Sequence, residues 1–300
     1  MKTVDLFAQR TVLSFEVFPP RRDSSVSTIY KTIDELKELH PDFISVTYGA
    51  GGSDNCAATI EIASAIKHRH GIESVAHLPA LCMKKEQVRE VLQNFQKAGI
   101  ENVLALRGDL PEGHIASGDF PYASSLVSFI HEEFPKTFNV IGAAYPEGHF
   151  ESPNTVADIK NLKQKVDAGV SQLITQLFFN NDYFYRFHEN CELSGIDVPI
   201  EAGIMPVVNK KQIERMVSLC KVQLPRKFLA IMERYEHDPI AMRDAGIAYA
   251  IDQIVDLVTQ GVSGIHLYTM NNPYIAKRIY EAVHTLIAAS RTTPAPANAI

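Results

Sequence analysis

The sequence predicts an α/β fold, a single-domain (β/α)8 TIM barrel, on three observations. Eight short β-like runs recur along 300 residues and are separated by segments with helical spacing. The runs are apolar on both faces, as strands of a parallel sheet covered by helices must be. No Pro/Gly/Ser-rich linker or change of composition divides the chain, which favours eight βα units closing into one barrel. The competing architecture is an open doubly wound sheet, which usually carries G-x-G-x-x-G after an early strand. Here the second run is followed by "GAGGSD", a weak imitation.

The elements follow in order. "TVLSFEVF" (11–18) leads into a helix whose stripe is Val26, Ile29, Tyr30, Ile33 and Leu36. "DFISVTY" (42–48) precedes a helix with Ser53 at its N-cap position. "SVAHLP" (74–79) precedes a helix striped by Val88, Val91, Leu92 and Phe95 and closed by Gly99 at C′. "NVLALRG" (102–108) and "NVIGAAYP" (139–146) are the fourth and fifth strands, and Asn154 is placed to cap the helix after the fifth. "QLITQLFF" (172–179) and "PIEAGIMP" (199–206) come next, with Asn209 as the following N-cap. The stretch from Gln223 to Asp244 exceeds a minimal connection, so an extra helix is expected before "AMRDAGIAYAIDQIVDLV". "GIHLYTM" (264–270) is the eighth strand, and Pro273 suits the start of the last helix. The barrel is assigned to residues 1–291, and the tail 292–300, "TTPAPANAI", is expected to be disordered.

Composition excludes several functions. The net charge of −6 and the scattered Lys and Arg leave no basic stripe, so no nucleic acid partner is expected. Cys56, Cys82, Cys191 and Cys220 lie far apart without C-x-x-C spacing, which reads as free thiols in a reducing compartment, with no metal. His68 and His70 in "KHRH" do not face each other on a helix and suit its negative C-terminal end. No segment offers about twenty uninterrupted apolar residues, so no membrane is involved and a cytoplasmic protein is expected.

A barrel binds its substrate where the strands end, and polar residues gather there: Glu16, Thr47, Tyr48, His77, Arg107, Asp109, Tyr145 and Gln176. Glu16, between Phe15, Val17 and Phe18, would resist ionisation in an apolar setting and could act as a general acid. The alternative is a buried glutamate paired with an arginine for structure alone. In "LALRGDLPEG", Gly108 lets backbone approach a ligand between Arg107 and Asp109, unless those two simply form a local salt bridge. The helix behind Asn154, with Lys163 and Lys165, suits an anion such as pyrophosphate, or is an ordinary amphipathic helix with a solvated face.

At these residues the sequence resembles the catalytic domain of methylenetetrahydrofolate reductases. The motifs, in register along nearly the whole chain, are "SFEVFPPR", "SVTYGAGG", "AHL", "ALRGDLP", "AAYPEGH", "DIKNLKQKVDAG", "ITQLFF", "GIMPV" and "YTMN". The resemblance implies a flavoprotein that takes hydride from NADH or NADPH onto FAD and passes it to methylenetetrahydrofolate, the substrates taking turns. The product, methyltetrahydrofolate, supplies methyl groups for methionine synthesis. Glu16 matches the general acid that opens the folate ring to an iminium, and Asp109 the acid near flavin and pterin. Gln176 matches an amide contacting pterin or nicotinamide, and Gln212 a substrate contact. The flavin site is implied to comprise Thr47, Tyr48, His77, Arg107, Gly108, Asp109, Tyr122, Ala123, Tyr145 and His149, together with Ser152, Asp158, Asn161, Gln164 and Lys165. A homo-oligomer, without the regulatory domain of longer eukaryotic members, is also implied.

Two positions depart from the family. Asn272 stands where many members have arginine, and Met216 where a bacterial pattern has an aromatic. The missing arginine would weaken contact with an anionic folate tail unless Lys277 or Arg278 compensates. Two other functions fit the same residues: a colourless barrel lyase or aldolase acting on a phosphorylated substrate, and a flavin- or folate-binding subunit that works through a partner.

Overall fold

A computed structural model describes residues 1–20, 26–48, 53–110, 113 and 115–290. The tail expected to be disordered, the "GAGG" stretch, and the side chains of Ser53 and Met216 lie outside what is described.

The strands are β1 (Val12–Val17), β2 (Phe43–Val46), β3 (Glu73–Pro79), β4 (Asn102–Leu106), β5 (Asn139–Ala144), β6 (Gln172–Thr175), β7 (Ile200–Ile204) and β8 (Gly264–Tyr268). They form one closed parallel barrel in sequence order, shut by β8 pairing with β1 from Val12↔Gly264 to Glu16↔Tyr268. Helices alternate with them: α1 (Val26–Lys37), α2 (Ser53–His70), α3 (Lys85–Lys97), α4 (Ala123–Glu133), α5 (Thr155–Asp167) and α6 (Asn181–Leu193). After β7 come α7 (Lys210–Cys220), the expected extra helix α8 (Arg226–Tyr235) and α9 (Pro239–Thr259); α10 (Pro273–Ser290) ends the barrel. None of the helices is long and apolar enough to cross a membrane among the described residues.

The punctuation read from the sequence forms as local chemistry requires. Asn154 and Asn209 accept from the backbone N–H groups of Ala157 and Gln212, satisfying donors that a helix start leaves open. Gly99, at φ +72°, turns the chain out of α3, whose stripe Val88, Val91, Leu92 and Phe95 is buried.

The pleat sends alternate residues to opposite sides of the barrel wall. Leu13, Phe15 and Val17 point outward into the helix-covered core, together with Ile44, Val46, Ala76 and Leu78. A smaller cluster fills the lower interior: Leu6, Val12, Phe43, Val75, Leu104, Ile141 and Ile174. Fully burying such side chains stabilises by about 1.5–3 kcal/mol each before chain entropy is counted. The bottom is plugged by a short 3-10 helix, Thr3–Ala8. There Thr3 accepts from Asn139 (3.0 Å), donates to Gln172 (2.8 Å), and gives its N–H to Asn102 (2.8 Å).

Glycine is required where β6, β7 and β8 crowd. A Cβ at Gly203 would lie 2.2 Å from the Thr175 carbonyl and 2.9 Å from the Tyr268 ring, whose hydroxyl donates to that carbonyl at 2.7 Å. Gly203→Ala is therefore expected to destabilise the fold by about 1–3 kcal/mol, measured by thermal unfolding. A variant as stable as its parent would show that both the Thr175 carbonyl and Tyr268 yield.

Candidate active site

Glu16 and Ser14 share the inner face of β1, so Glu16 lies in the barrel mouth and Phe15 and Val17 lie on the other side of the wall. This corrects the expectation of an apolar surrounding: sequence neighbours in a strand are not spatial neighbours. The Glu16 carboxylate faces His77 Nε2 at 3.5 Å and His266 Nε2 at 3.6 Å, imidazoles in place of the guanidinium that a structural ion pair would use. Both nitrogens are buried without a hydrogen-bond partner in the protein, as is the hydroxyl of Ser45, the register partner of Glu16 on β2. Buried polar atoms left open cost about 1–3 kcal/mol each, so the two nitrogens turned on one carboxylate mark a place suited to a polar ligand. Burial brings His77 down to about 4, against the pull of Glu16, so it faces the site as a neutral imidazole.

The chain just after Glu16 is held by the β8–α10 loop. Thr269 donates to the Glu16 carbonyl at 2.6 Å. Asn271 grips Phe18 from both sides, accepting its N–H at 3.0 Å and donating to its carbonyl at 2.8 Å. Met270 and Asn271 take left-handed φ values of 51° and 54°, a conformation disfavoured for residues other than glycine. The motif "YTMN" thus spends backbone strain on fixing the general-acid candidate, a role the sequence did not disclose.

Beneath this mouth lies a second acid that sequence reasoning missed. Glu201, inward on β7, is fully buried; it accepts from Ser14 Oγ at 2.7 Å and from Gln172 at 3.4 Å. Burial pushes its carboxyl up to about 7, although His266 and the hydrogen bonds from Ser14 and Gln172 pull the other way. The signal was present: an acid within the apolar run "PIEAGIMP" is as conspicuous as Glu16 in its own run.

The other expected site residues sit around the same rim. Thr47 and Tyr48 follow β2, with the Thr47 carbonyl accepting from Thr59 at 3.1 Å. Arg107 pairs through both guanidinium nitrogens with Glu151 of the β5–α5 loop, so the local Arg107–Asp109 salt bridge is replaced by a tie between two loops. Asp109 is exposed, and its charge helps burial push Tyr145 up to about 12. Gly108, at φ +82°, packs so closely that a Cβ would meet the Pro79 Cβ at 2.8 Å. Tyr122 is exposed at the N-cap of α4, with Ala123 the first residue of that helix. Tyr145 stands edge-on to His149 at 4.6 Å, and His149 stacks on Phe150.

At the start of α5, Ser152 donates to Asp158 at 2.7 Å, while Asn161 and Gln164 are exposed on one helix face. Lys165 reaches the end of β5 and donates to the Ala143 carbonyl at 2.6 Å, and burial lowers it to about 8 despite Asp158. Lys163 turns to the opposite end of the helix and pairs with Asp167, so only one of the two expected cations serves the mouth.

Gln176 accepts from the Leu177 N–H at 2.9 Å at the end of β6. Gln212 and Asn272 meet across a cleft of about 340 Å³ between the β7–α7 and β8–α10 loops. Each also holds its own loop, Gln212 bonding Val208 and Pro206, and Asn272 accepting from Ile275. Lys277 and Arg278 do not line this cleft: Lys277 faces Glu281, and Arg278 bonds the Tyr274 hydroxyl. Among the described residues, the cation that lines it is Lys211, which the sequence gave no reason to single out.

Fold and mouth together define a (β/α)8-barrel enzyme with one carboxylate set among imidazoles. The chain belongs to the methylenetetrahydrofolate reductase family, whose model matches residues 2–284. A 5,10-methylenetetrahydrofolate reductase of Pectobacterium carotovorum subsp. carotovorum is 39% identical over 92% of this chain and 90% of its own. That of Escherichia coli (strain K12) is 37% identical over 91% and 90%. The Arabidopsis thaliana methylenetetrahydrofolate reductase (NADH) 1 is 35% identical over 90% of this chain but only 49% of its own length. A Clostridium thermocellum protein solved with two copies of 5-methyl-5,6,7,8-tetrahydrofolic acid superposes with a TM-score of 0.66 over 98% of this chain and 100% of that one; at 11% identity it shares the fold alone.

The buried Glu201 makes stability depend on pH. The folded carboxyl keeps its proton to about 7 and the unfolded one to 4.5, so between those values the unfolded chain binds fewer protons. Its contribution is full below 4.5 and is lost as pH rises through about 7. The urea midpoint of the parent should therefore fall relative to that of Glu201→Gln across this window; a difference flat with pH would show an ionised Glu201 throughout.

Proposed function

We propose that the protein reduces methylenetetrahydrofolate to methyltetrahydrofolate with electrons from NADH or NADPH by way of bound FAD, Glu16 acting as general acid. The observation that carries this reading is Glu16 itself, its following backbone fixed by Thr269 and Asn271 at the mouth of a barrel and its carboxylate facing the open Nε2 atoms of His77 and His266. A proton donor so placed suits a substrate nitrogen that must be protonated before its neighbouring carbon accepts hydride. The family and the curated relatives support the same substrate.

The rim fits FAD. Tyr145 and His149 offer aromatic surface, and the start of α5, capped by Asn154, offers backbone N–H groups to a diphosphate, with Arg107 tied to Glu151 beside it. FAD, when bound, supplies the two-electron hydride store that both substrates use in turn. Asp109, exposed beside the flavin-facing loop, orients the polar edge of the pterin, and Gln176 contacts pterin or nicotinamide. In the cleft, Gln212 and Asn272 contact the folate, and Lys211 takes the anionic tail that an arginine at 272 would otherwise meet.

The test is anaerobic. Adding NADH or NADPH should bleach the yellow protein, and methylenetetrahydrofolate should restore the colour. A preparation colourless even with FAD supplied would favour a lyase. Glu16→Gln should keep its flavin and still bleach, while recolouring slows by about 10²–10⁴-fold; normal recolouring would remove Glu16 from the role. Lys211→Met should raise the KM for the folate several-fold with little change in kcat, the signature of uniform binding lost. An unchanged KM would leave the tail without this contact.

A further inference from the structure

We propose that Glu201 is a buried proton store for Glu16, and that Ser14 and His266 carry the proton between the two carboxyl groups. This rests on the reading of Glu16 as general acid. Ser14 Oγ lies 2.7 Å from Glu201 Oε1 and 2.7 Å from His266 Nδ1. The other nitrogen of that ring, Nε2, faces Glu16 at 3.6 Å and has no partner in the protein. Ser14, Glu201 and His266 are each wholly buried, whereas the Glu16 side chain keeps 19% of its surface exposed, so the path has one end at the mouth. The relay is held in place: Phe43 stacks on the His266 ring, Tyr268 meets it edge-on, and a Cβ at Gly264 would strike Glu201 Cγ at 2.8 Å.

Two placements of the same protons are possible. In one, Glu201 is protonated and donates to Ser14, Ser14 donates to Nδ1, and Nε2–H points at an ionised Glu16. In the other, an ionised Glu201 accepts from Ser14, Ser14 accepts from Nδ1–H, and bare Nε2 faces a protonated Glu16. Passing from the first to the second breaks the O–H bond of Glu201 and forms one at Ser14. The former Ser14 proton moves to Nδ1, and the Nε2 proton moves to Glu16. No electrons change hands and no co-reactant is needed. Glu16 then gives its proton to the substrate nitrogen, and one proton from water at the mouth reloads the path in each turnover.

Three further titratable groups face this path from the elements packed against it. Tyr268 on β8 is held far above the usual tyrosine range by burial, with Glu16, Cys220, Tyr145 and Glu201 adding to it. His77 on β3 is neutral for the reason given above. Asp42, just before β2, pairs with Arg10 and accepts the Leu13 N–H, and Gln172 on β6 does not titrate.

The FAD-loaded full chain, ¹⁵N-labelled at histidine, tests this by NMR. The parent should hold His266 as the Nε2–H tautomer below the Glu201 transition and as Nδ1–H above it. Glu201→Gln, which donates to Ser14 at every pH, should lock Nε2–H throughout. Ser14→Ala should abolish the switch and slow the folate half-reaction at least about tenfold more than the nicotinamide half-reaction. If Ser14→Ala does not fold, the parent and Glu201→Gln decide. A parent His266 that keeps one tautomer, or a folded Ser14→Ala with the parental pH profile, would overturn the store. A parent that switches tautomer yet never reduces methylenetetrahydrofolate would instead overturn the functional reading on which the store depends.

Discussion

One polar thread through the barrel interior organises what lies around it. It starts at the plug, where Thr3 meets Asn102, Asn139 and Gln172, and passes by hydrogen bonds from Gln172 to Glu201, Ser14 and His266. It ends at Glu16. A closed parallel barrel must fill its inside from the inward-facing half of each strand. Here β1 to β6 supply the apolar cluster around Phe43 and Ile141, whereas β7 and β8 supply Glu201, Gly203, Gly264 and His266. Gly264 leaves room for the Glu201 side chain, and Gly203 for the Thr175 carbonyl and the Tyr268 ring.

The mouth follows from that filling. Because His266 is anchored from below by Ser14, its remaining nitrogen has only one direction to face, upward toward Glu16. His77 meets the same carboxylate from β3, and Thr269 and Asn271 fix the backbone after it. The rim beyond is looser in construction: Arg107 and Glu151 tie two loops through an ion pair that is partly exposed and therefore modest in strength. Precision sits on the strands and adaptability on the loops.

Strand identity was legible because apolar runs bounded by turn residues leave few other readings. Strand ends were not: the fifth run was read through Pro146 and ends at Ala144, and the sixth was read through Phe179 and ends at Thr175. The residues lost from those runs include Tyr145 and Gln176, and the fourth run likewise loses Arg107 and Gly108 by ending at Leu106; all four sit at the mouth end of the barrel. Glu16 was legible as an acid in an apolar run, yet its surroundings were misjudged by counting neighbours along the chain instead of across the sheet. Ser14, two residues earlier on the same face, belonged to the same argument. His266 and Glu201 obey it too, but their connection spans β7, β8 and β1, and only closure of the barrel brings those strands together. Lys211 had no signal at all, since one lysine among several at a helix start becomes distinctive only when the opposing loop is in place.

The thread is a poor device for stability and a good one for position. Apolar side chains of similar volume would fill the space beside β7 and β8 without leaving Nε2 of His266 open or holding a carboxyl in the dark. Burial makes Glu201 favour its neutral form, which limits the cost of keeping an acid inside the barrel and preserves its proton. A neutral acid bonded to Ser14 and Gln172 brings no charge of its own into the apolar half. What the arrangement secures is the facing of one imidazole nitrogen toward one carboxylate, in a wall where His266 is packed by Phe43 and Tyr268.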